Sequence, residues 1–204
     1  MSAVELSASD VQALRNKTGA GMMDCKKARV ETRGGIEKAI EYLRKKGVAA
    51  AEKKVGRETK QGAVTSYIHA GGKIGVLVEI NCETDFVARN EQFRNLAHEI
   101  ALQIAASAPK YIVADEIPAA ELEHEAEIAR ARAKEEGKPE SVLPKIVEGR
   151  IEKYKDEVCL LRQAYIRDES ITIEKLILQN VAAIGENIIV RRFQRWELGE
   201  SINK

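Results

Sequence analysis

The sequence contains few aromatic residues and few prolines. Aromatic side chains make up 4% of the 204 residues, and there are 4 prolines, whereas charged residues make up 32%. This balance is typical of helix-rich proteins with aliphatic cores rather than of all-β sandwiches. A chain of this length can bury roughly 70% of the surface that its unfolded form exposes, so a core is possible without disulfides or metals. We therefore expect one or two mainly helical domains.

Cysteine and histidine are also scarce and scattered. The 3 cysteines form no CxxC pair, and an odd number is not typical of a secreted disulfide framework. Each of the 3 histidines stands alone, without a second ligand at the short spacings that build zinc sites. The sequence therefore predicts reduced thiols in a cytosolic setting, and it predicts no bound metal and no cofactor.

Long apolar runs and an excess of one charge are both missing. No run approaches the ~20 apolar residues that a membrane helix needs, and the beginning of the chain shows no basic region followed by an apolar stretch. Lys and Arg total 33 against 32 Asp and Glu, a net charge of +1 with neutral histidines. We therefore expect a soluble, cytoplasmic protein that binds neither a membrane nor nucleic acid directly.

Two short helices are predicted at the start of the chain. Ser9 and Gln12 have the capping-box spacing, so a helix should run from about residue 10 to residue 16. A glycine-containing turn at residues 18–21 then precedes a second helix over residues 22–32.

A third helix and a linker follow. The helix begins at Ile36, has a basic end, and can be capped by Gly47. Residues 48–62 are polar and charged, which indicates a linker, helical in its first half at most.

Alternating apolar residues then predict a β-hairpin. Its strands cover residues 64–69 and 74–81, with one buried face. A third strand over residues 188–198 alternates imperfectly, so we expect a bulge or two partly covered faces.

Helical periodicity accounts for most of the remaining chain. An apolar stripe that includes Phe86 predicts a helix over residues 84–107, with Asn90 able to cap a restart. Further helices are predicted over residues 119–136, 141–161 and 171–183, the second of them with Ser141 as its N-cap. The expected fold class is α+β, with a three-helix module at residues 1–47, the linker at 48–62, and a core at 63–204 in which a small antiparallel sheet packs against long helices.

Two motifs invite a chemical interpretation. The glycines before Met22 and Met23 do not fit a phosphate loop, because no strand precedes them and no Gly-Lys-Ser/Thr follows. The two methionines are therefore either core residues or an exposed protein-binding surface.

Residues 81–90 are the second dense motif. Glu83 and Asp85 have no accompanying nucleophile or histidine, which argues against acid/base catalysis. The acidic surroundings of Cys82 should not lower its pKa, so we do not expect a reactive thiol. Phe86 would by default be a core residue. With no enzyme signature, the choice lies between a binding module and a structural protein.

The residues themselves resemble a known family. Residues 14–28 (LRNKTGAGMMDCKKA) and 75–90 (GVLVEINCETDFVARN) are similar to two signatures of the bacterial-type elongation factor Ts family. The similarity continues through residues 148–150 and 157–161 to the Arg-Arg-Phe at 191–193. It covers nearly the whole chain, and two long signatures in order are far more specific than a short motif.

The resemblance implies a non-enzymatic guanine-nucleotide exchange factor for elongation factor Tu. The implied partner is elongation factor Tu in both its GDP-bound and its nucleotide-free forms. It implies a ubiquitin-associated-like N-terminal domain that docks through Arg15, Met22 and Met23. It also implies a segment that helps to displace the partner's magnesium ion, with the phenyl ring directed outward, formed by Thr84, Asp85, Phe86 and Val87. The alternative is an adapter that binds a partner without changing nucleotide release.

The resemblance is to the short, single-core form of the family, which implies a homodimer. The edges and apolar face of a small sheet need cover, and a second copy can provide it. The alternative is that the long helices cover the sheet within one chain.

Overall fold

The structure, a computed structural model, describes residues 7–18 and 20–201. It divides into two compact units. The first contains residues up to 62 with 81–93 and 177–189, and the second contains residues 63–80, 94–176 and those from 190 onward. The helices are α1 (Ala8–Thr18), α2 (Met22–Glu31), α3 (Ile36–Glu52), α4 (Asp85–Ala88), α5 (Glu91–Ser107), α6 (Ala119–Glu135), α7 (Leu143–Val158) and α8 (Ile173–Ile184). The strands are β1 (Gln61–Ile68), β2 (Ile74–Cys82), β3 (Ala164–Tyr165), β4 (Asp168–Thr172) and β5 (Ile188–Glu197). The predicted mixture of helices with a small sheet is confirmed.

Helices α1 to α3 pack around a small core of their own. Its buried members are Val11, Leu14, Cys25, Ala28, Ala39 and Leu43. The predicted cap of α1 is wrong. Ser7, not Ser9, accepts a hydrogen bond from the Asp10 amide at 3.2 Å, because α1 begins two residues earlier than predicted. Gly19, in the predicted turn before α2, lies outside the described residues.

Gly47 was predicted to cap α3, but the helix continues to Glu52. A Cβ at position 47 would lie 3.3 Å from the Ala182 Cβ of α8, so the glycine allows these two helices to approach closely. Residues 49–51 are alanines, the best helix formers, and they sustain the helix beyond the glycine. The first five residues of the predicted linker are therefore helical.

Strands β1, β2 and β5 form one sheet in the order β1-β2-β5. The predicted hairpin of β1 and β2 is confirmed, and its turn contains Gly71 and Gly72 at φ values of 87° and 69°, which favour glycine. The predicted buried face is also confirmed, since Val76, Val78 and Ile80 of β2 are all buried.

Strand β5 changes its inward face partway along. Ile188 and Val190 are buried in its first half, whereas Phe193 and Arg195 are the more covered positions farther on. The Arg195 Nε donates to the Ala105 carbonyl of α5 at 3.4 Å, which places the later inward face against that helix. A shift of one residue in the alternation is what a β-bulge produces, in agreement with the expected irregularity.

The predicted helix over residues 84–107 is divided in two. Asn90 accepts a hydrogen bond from the Gln92 amide at 2.7 Å, which confirms the predicted restart and begins α5. The apolar stripe of α5 is buried, and it consists of Phe93, Leu96, Ala97, Ile100 and Ile104. Phe86 does not share this stripe, because the restart breaks the helical register between α4 and α5.

Helices α6 and α7 pack against each other, with Tyr154 near the end of α7 hydrogen-bonded to Glu121 near the start of α6. Ser141 was predicted to cap α7, and this prediction is wrong. A short 3-10 turn over Glu140–Val142 precedes the helix, and Val142 occupies the N-cap position without a side-chain hydrogen bond. The sequence also did not predict the β3–β4 hairpin, whose strands are too short to show alternation. Buried Gln103 supports this region by donating to the Ala164 carbonyl and accepting from the Ile166 amide.

Candidate partner-binding site

The segment of residues 84–87 lies where β2 gives way to α4. Thr84 has an extended backbone, and its hydroxyl accepts a hydrogen bond from the Val87 amide at 3.3 Å, so it is the N-cap of α4. Successive side chains of a helix point about 100° apart, so one turn sends neighbours in different directions. Val87 is buried at 7% exposure, while Phe86 is 80% exposed.

The exposure of Phe86 excludes the default interpretation of this residue as part of the core. A phenyl ring that lies in water contributes little to the folded chain, yet it offers roughly 150–250 Å² of apolar surface to a partner. The outward direction predicted for the ring is therefore confirmed. Its role in binding remains a prediction.

The polar neighbours of Phe86 are not arranged as a catalytic group. Asp85 pairs with Arg89 at 3.0 Å, and both side chains are exposed, so the pair contributes little to stability. Burial, followed by the charge of Glu186, raises the pKa of the Cys82 thiol to about 11. This direction agrees with the expectation that the surroundings of Cys82 do not lower the pKa of its thiol. Among residues 7–18 and 20–201, no cluster of three His, Cys, Asp or Glu residues could hold a metal ion.

A second segment, distant in sequence, holds the first in place. The Glu186 carboxylate accepts hydrogen bonds from the amides of Glu83 and Thr84, at 3.1 Å and 3.0 Å. In return, the Glu83 carboxylate accepts from the Asn187 amide at 2.7 Å. No local pattern in the sequence pointed to Glu186 and Asn187, because about a hundred positions separate them from residues 83 and 84.

The proposed docking residues of the N-terminal helices are exposed. Arg15 lies on α1, and Met22 and Met23, at the start of α2, are 40% and 75% exposed. The interpretation of these methionines as core residues is therefore wrong. Flexible, polarizable methionine side chains on a surface are suited to contact with a protein partner.

The outer face of the three-stranded sheet carries several exposed apolar side chains together with polar ones, among them the ion pair of Arg192 with Glu79 at 2.7 Å. We call it the outer sheet face, and it contains Val64, Ile68, Leu77 and Trp196. Gly75 lies beneath Ile68, since a Cβ there would be 3.2 Å from the Ile68 Cδ1 atom. Separate exposed apolar side chains are ordinary, whereas a large contiguous apolar patch is typical of a contact surface.

These features define a class: an α+β protein with exposed phenylalanine, methionine and sheet-face side chains. In the part of the chain that the structure describes, no helix is both long and apolar enough to cross a membrane.

Comparison with known proteins identifies the family. A family model described as elongation factor Ts matches residues 3–200. Similar relatives are the elongation factor Ts proteins of Desulforamulus reducens (58% identical, over 98% of this chain and 92% of the relative) and of Caldanaerobacter subterraneus (57% identical, over 98% and 100%). That of Syntrophomonas wolfei is 57% identical over 98% of this chain and 93% of the relative. The chain belongs to the elongation factor Ts family, and with it to the translation elongation factors.

Proposed function

We propose that this protein is a guanine-nucleotide exchange factor for elongation factor Tu. The observation that carries the proposal is the 80% exposure of Phe86 within a segment that resembles a family signature. A large apolar side chain held outward by a capped turn is suited to insertion into a partner. Such an anchor contributes about 2–3 kcal/mol when it is buried in an interface.

Exchange requires no chemical step from the protein itself. The exchange factor binds a conformation of elongation factor Tu in which GDP and magnesium are held weakly. The exchange factor therefore lowers the affinity of elongation factor Tu for GDP, and GDP lowers its affinity for the exchange factor by the same factor. Phe86 acts as the wedge that stabilises this conformation and displaces the partner's magnesium ion. Asp85 accepts hydrogen bonds from donors near the displaced ion. The protein is therefore not an enzyme, and it needs neither a metal nor a cofactor of its own.

Helices α1 to α3 are proposed to form the ubiquitin-associated-like docking domain. Their separate core supports this role, because α1 to α3 pack on one another while Arg15, Met22 and Met23 stay exposed. The proposed boundaries are residues 1–47 for this domain, 48–62 for its connection, and 63–204 for the exchange and dimerisation core, with α3 running five residues into the connection.

The outer sheet face is proposed as the contact between two copies of the chain. Its apolar side chains are exposed, whereas the opposite face is buried, as Val76 and Val78 show. A two-fold pair of such faces makes a self-complementary contact, for which about 1,200–2,000 Å² in total is an ordinary size. Each dimer would then present two Phe86 side chains to two partners.

The test is the release of labelled GDP from elongation factor Tu with and without this protein. Acceleration of release at catalytic amounts supports the proposal. Binding without acceleration supports the adapter instead. GTP hydrolysis by this chain alone would contradict the non-enzymatic role.

A further inference from the structure

The turn between α8 and β5 and the end of β2 are joined by reciprocal hydrogen bonds, which we call the carboxylate clamp. Glu186 accepts from the backbone amides of Glu83 and Thr84, and Glu83 accepts from the amide of Asn187. Hydrogen bonds to a carboxylate are stronger than those between neutral groups. Each segment therefore supplies the acceptor that the other segment's amides need.

The clamp also orients the cap of α4. The Thr84 hydroxyl donates a hydrogen bond to the Glu186 carboxylate at 2.7 Å. A hydroxyl has one proton but two lone pairs, so this bond leaves a lone pair for the Val87 amide, which lies at 3.3 Å. A continuous path of hydrogen bonds thus runs from Glu186 through Thr84 to the turn that exposes Phe86.

The turn between α8 and β5 is itself held by a third segment, residues 54–57. The side-chain amide of Asn187 donates to the Arg57 carbonyl at 2.9 Å, and Lys54 donates to the Gly185 carbonyl. The Arg57 guanidinium lies 3.7 Å from the Glu83 carboxylate. Glu186 is consequently anchored before any partner binds.

We propose that Glu186 is a positioning residue that sets the outward presentation of Phe86. Its consequence for nucleotide release rests on the proposed function, but its effect on residues 83–87 is a property of the free protein. Pre-organisation of this kind lowers the conformational entropy that binding would otherwise lose.

The first experiment measures hydrogen exchange at the amides of Glu83 and Thr84 in the free protein. Glu186→Ala removes their acceptor and should speed their exchange by about tenfold or more, as expected for loss of charge-assisted bonds. Glu186→Gln keeps one acceptor oxygen and should lose less protection. Glu174→Gln, which changes an exposed carboxylate on α8, the helix before the turn that contains Glu186, is the control and should leave these amides unchanged. Unchanged protection in Glu186→Ala would overturn the proposal.

The second experiment separates positioning from a general structural effect. Glu186→Ala should slow stimulated GDP release about tenfold, yet less than twofold when Phe86→Ala is already present, because residues that act through one another are not additive. An undiminished effect in that background would contradict the proposal.

Thr84→Val keeps the shape of the side chain but removes the hydroxyl that links Glu186 to α4. Thr84→Val should reproduce most of the loss in GDP release, and it replaces Glu186→Ala in the assay if that variant is unstable. Full activity of Thr84→Val would contradict the proposal. If the unmodified protein does not accelerate release, the proposed function fails, while hydrogen exchange still decides whether the clamp orders the segment.

Discussion

Two phenylalanines seven positions apart show how strongly local geometry decides the use of a residue. Phe93 is fully buried in α5, whereas Phe86 is 80% exposed on α4. The two positions share one face of an uninterrupted helix, but the restart at Asn90 rotates them out of register. One residue type therefore serves the core at one position and the surface at the other.

This contrast makes a matched pair of variants. Phe86→Ala should leave the free energy of unfolding nearly unchanged but slow stimulated GDP release strongly, because the ring contacts little in the free protein. Phe93→Ala should cost about 3–5 kcal/mol of stability, the usual result for a buried phenylalanine. Urea unfolding and the GDP-release assay, applied to both variants, measure the two effects. A large loss of stability in Phe86→Ala would remove the argument for an outward wedge.

The methionines of α2 permit a similar test of docking. The double variant Met22→Ala/Met23→Ala should weaken affinity for elongation factor Tu by about tenfold, since truncated interface anchors typically cost more than 1 kcal/mol. Titration calorimetry measures this affinity. Val55→Ala, which truncates another exposed apolar side chain, is the control and should bind normally. Unchanged affinity in the double variant would exclude this docking surface.

At the scale of elements, one carboxylate joins the loop after α5 to both α6 and α7. The Glu121 carboxylate accepts hydrogen bonds from the hydroxyls of Tyr111 and Tyr154 and from the ammonium group of Lys110. The tyrosine hydroxyls are the leading cause that lowers the Glu121 pKa from 4.5 to about 2. The hydrogen bond between Tyr111 and Glu121 also raises the pKa of Tyr111 to about 12.

The lowered pKa of Glu121 predicts a pH-dependent stability. A carboxyl whose pKa falls on folding stabilises the folded state fully above its unfolded pKa, and this contribution is lost as the pH falls through the folded value. Glu121→Gln should therefore be less stable than the unmodified protein at pH 7, by about 1–3 kcal/mol. The difference should shrink between pH 4.5 and about pH 2.

Urea unfolding across this pH range measures the difference. Glu123→Gln, an exposed variant on α6, is the matched control and should show no such trend. A difference between Glu121→Gln and the unmodified protein that stays constant with pH would contradict the role assigned to this carboxylate.

At the scale of the whole molecule, the dimer proposal predicts the mass in solution. Light scattering at micromolar concentration should give twice the chain mass of 22.6 kDa. Val64→Lys places a charge on the outer sheet face and should shift the mass toward a single chain without loss of fold, because Val64 is already exposed in one chain. Val55→Lys, on another exposed site, should remain dimeric. A mass that stays at 22.6 kDa for the unmodified protein at every concentration would exclude the dimer.

Much of the fold was predictable wherever a periodic pattern ran for several turns or strand residues. The hairpin of β1 and β2, the stripe of α5 and the restart at Asn90 follow from local patterns that the structure confirms. The predicted helices that failed did so at their ends, and the short β3–β4 hairpin was not predicted. Ser7 caps α1 in place of Ser9, and a 3-10 turn leads into α7 in place of a Ser141 cap. The free amides at the start of a helix can be satisfied by a neighbouring side chain or by 3-10 hydrogen bonds, so the local sequence does not fix which of these occurs.

The sequence by itself determined most of the elements, the family and the segments that carry its two signatures, since these depend on residues close together along the chain. Only the tertiary structure decided that Gly47 lies inside a helix against Ala182, and that Glu186 holds Thr84. Both depend on the approach of α8 and of the turn that follows it, over one hundred positions later. Hydrogen bonds and van der Waals contacts act over a few ångströms in space, and separation along the chain does not weaken them.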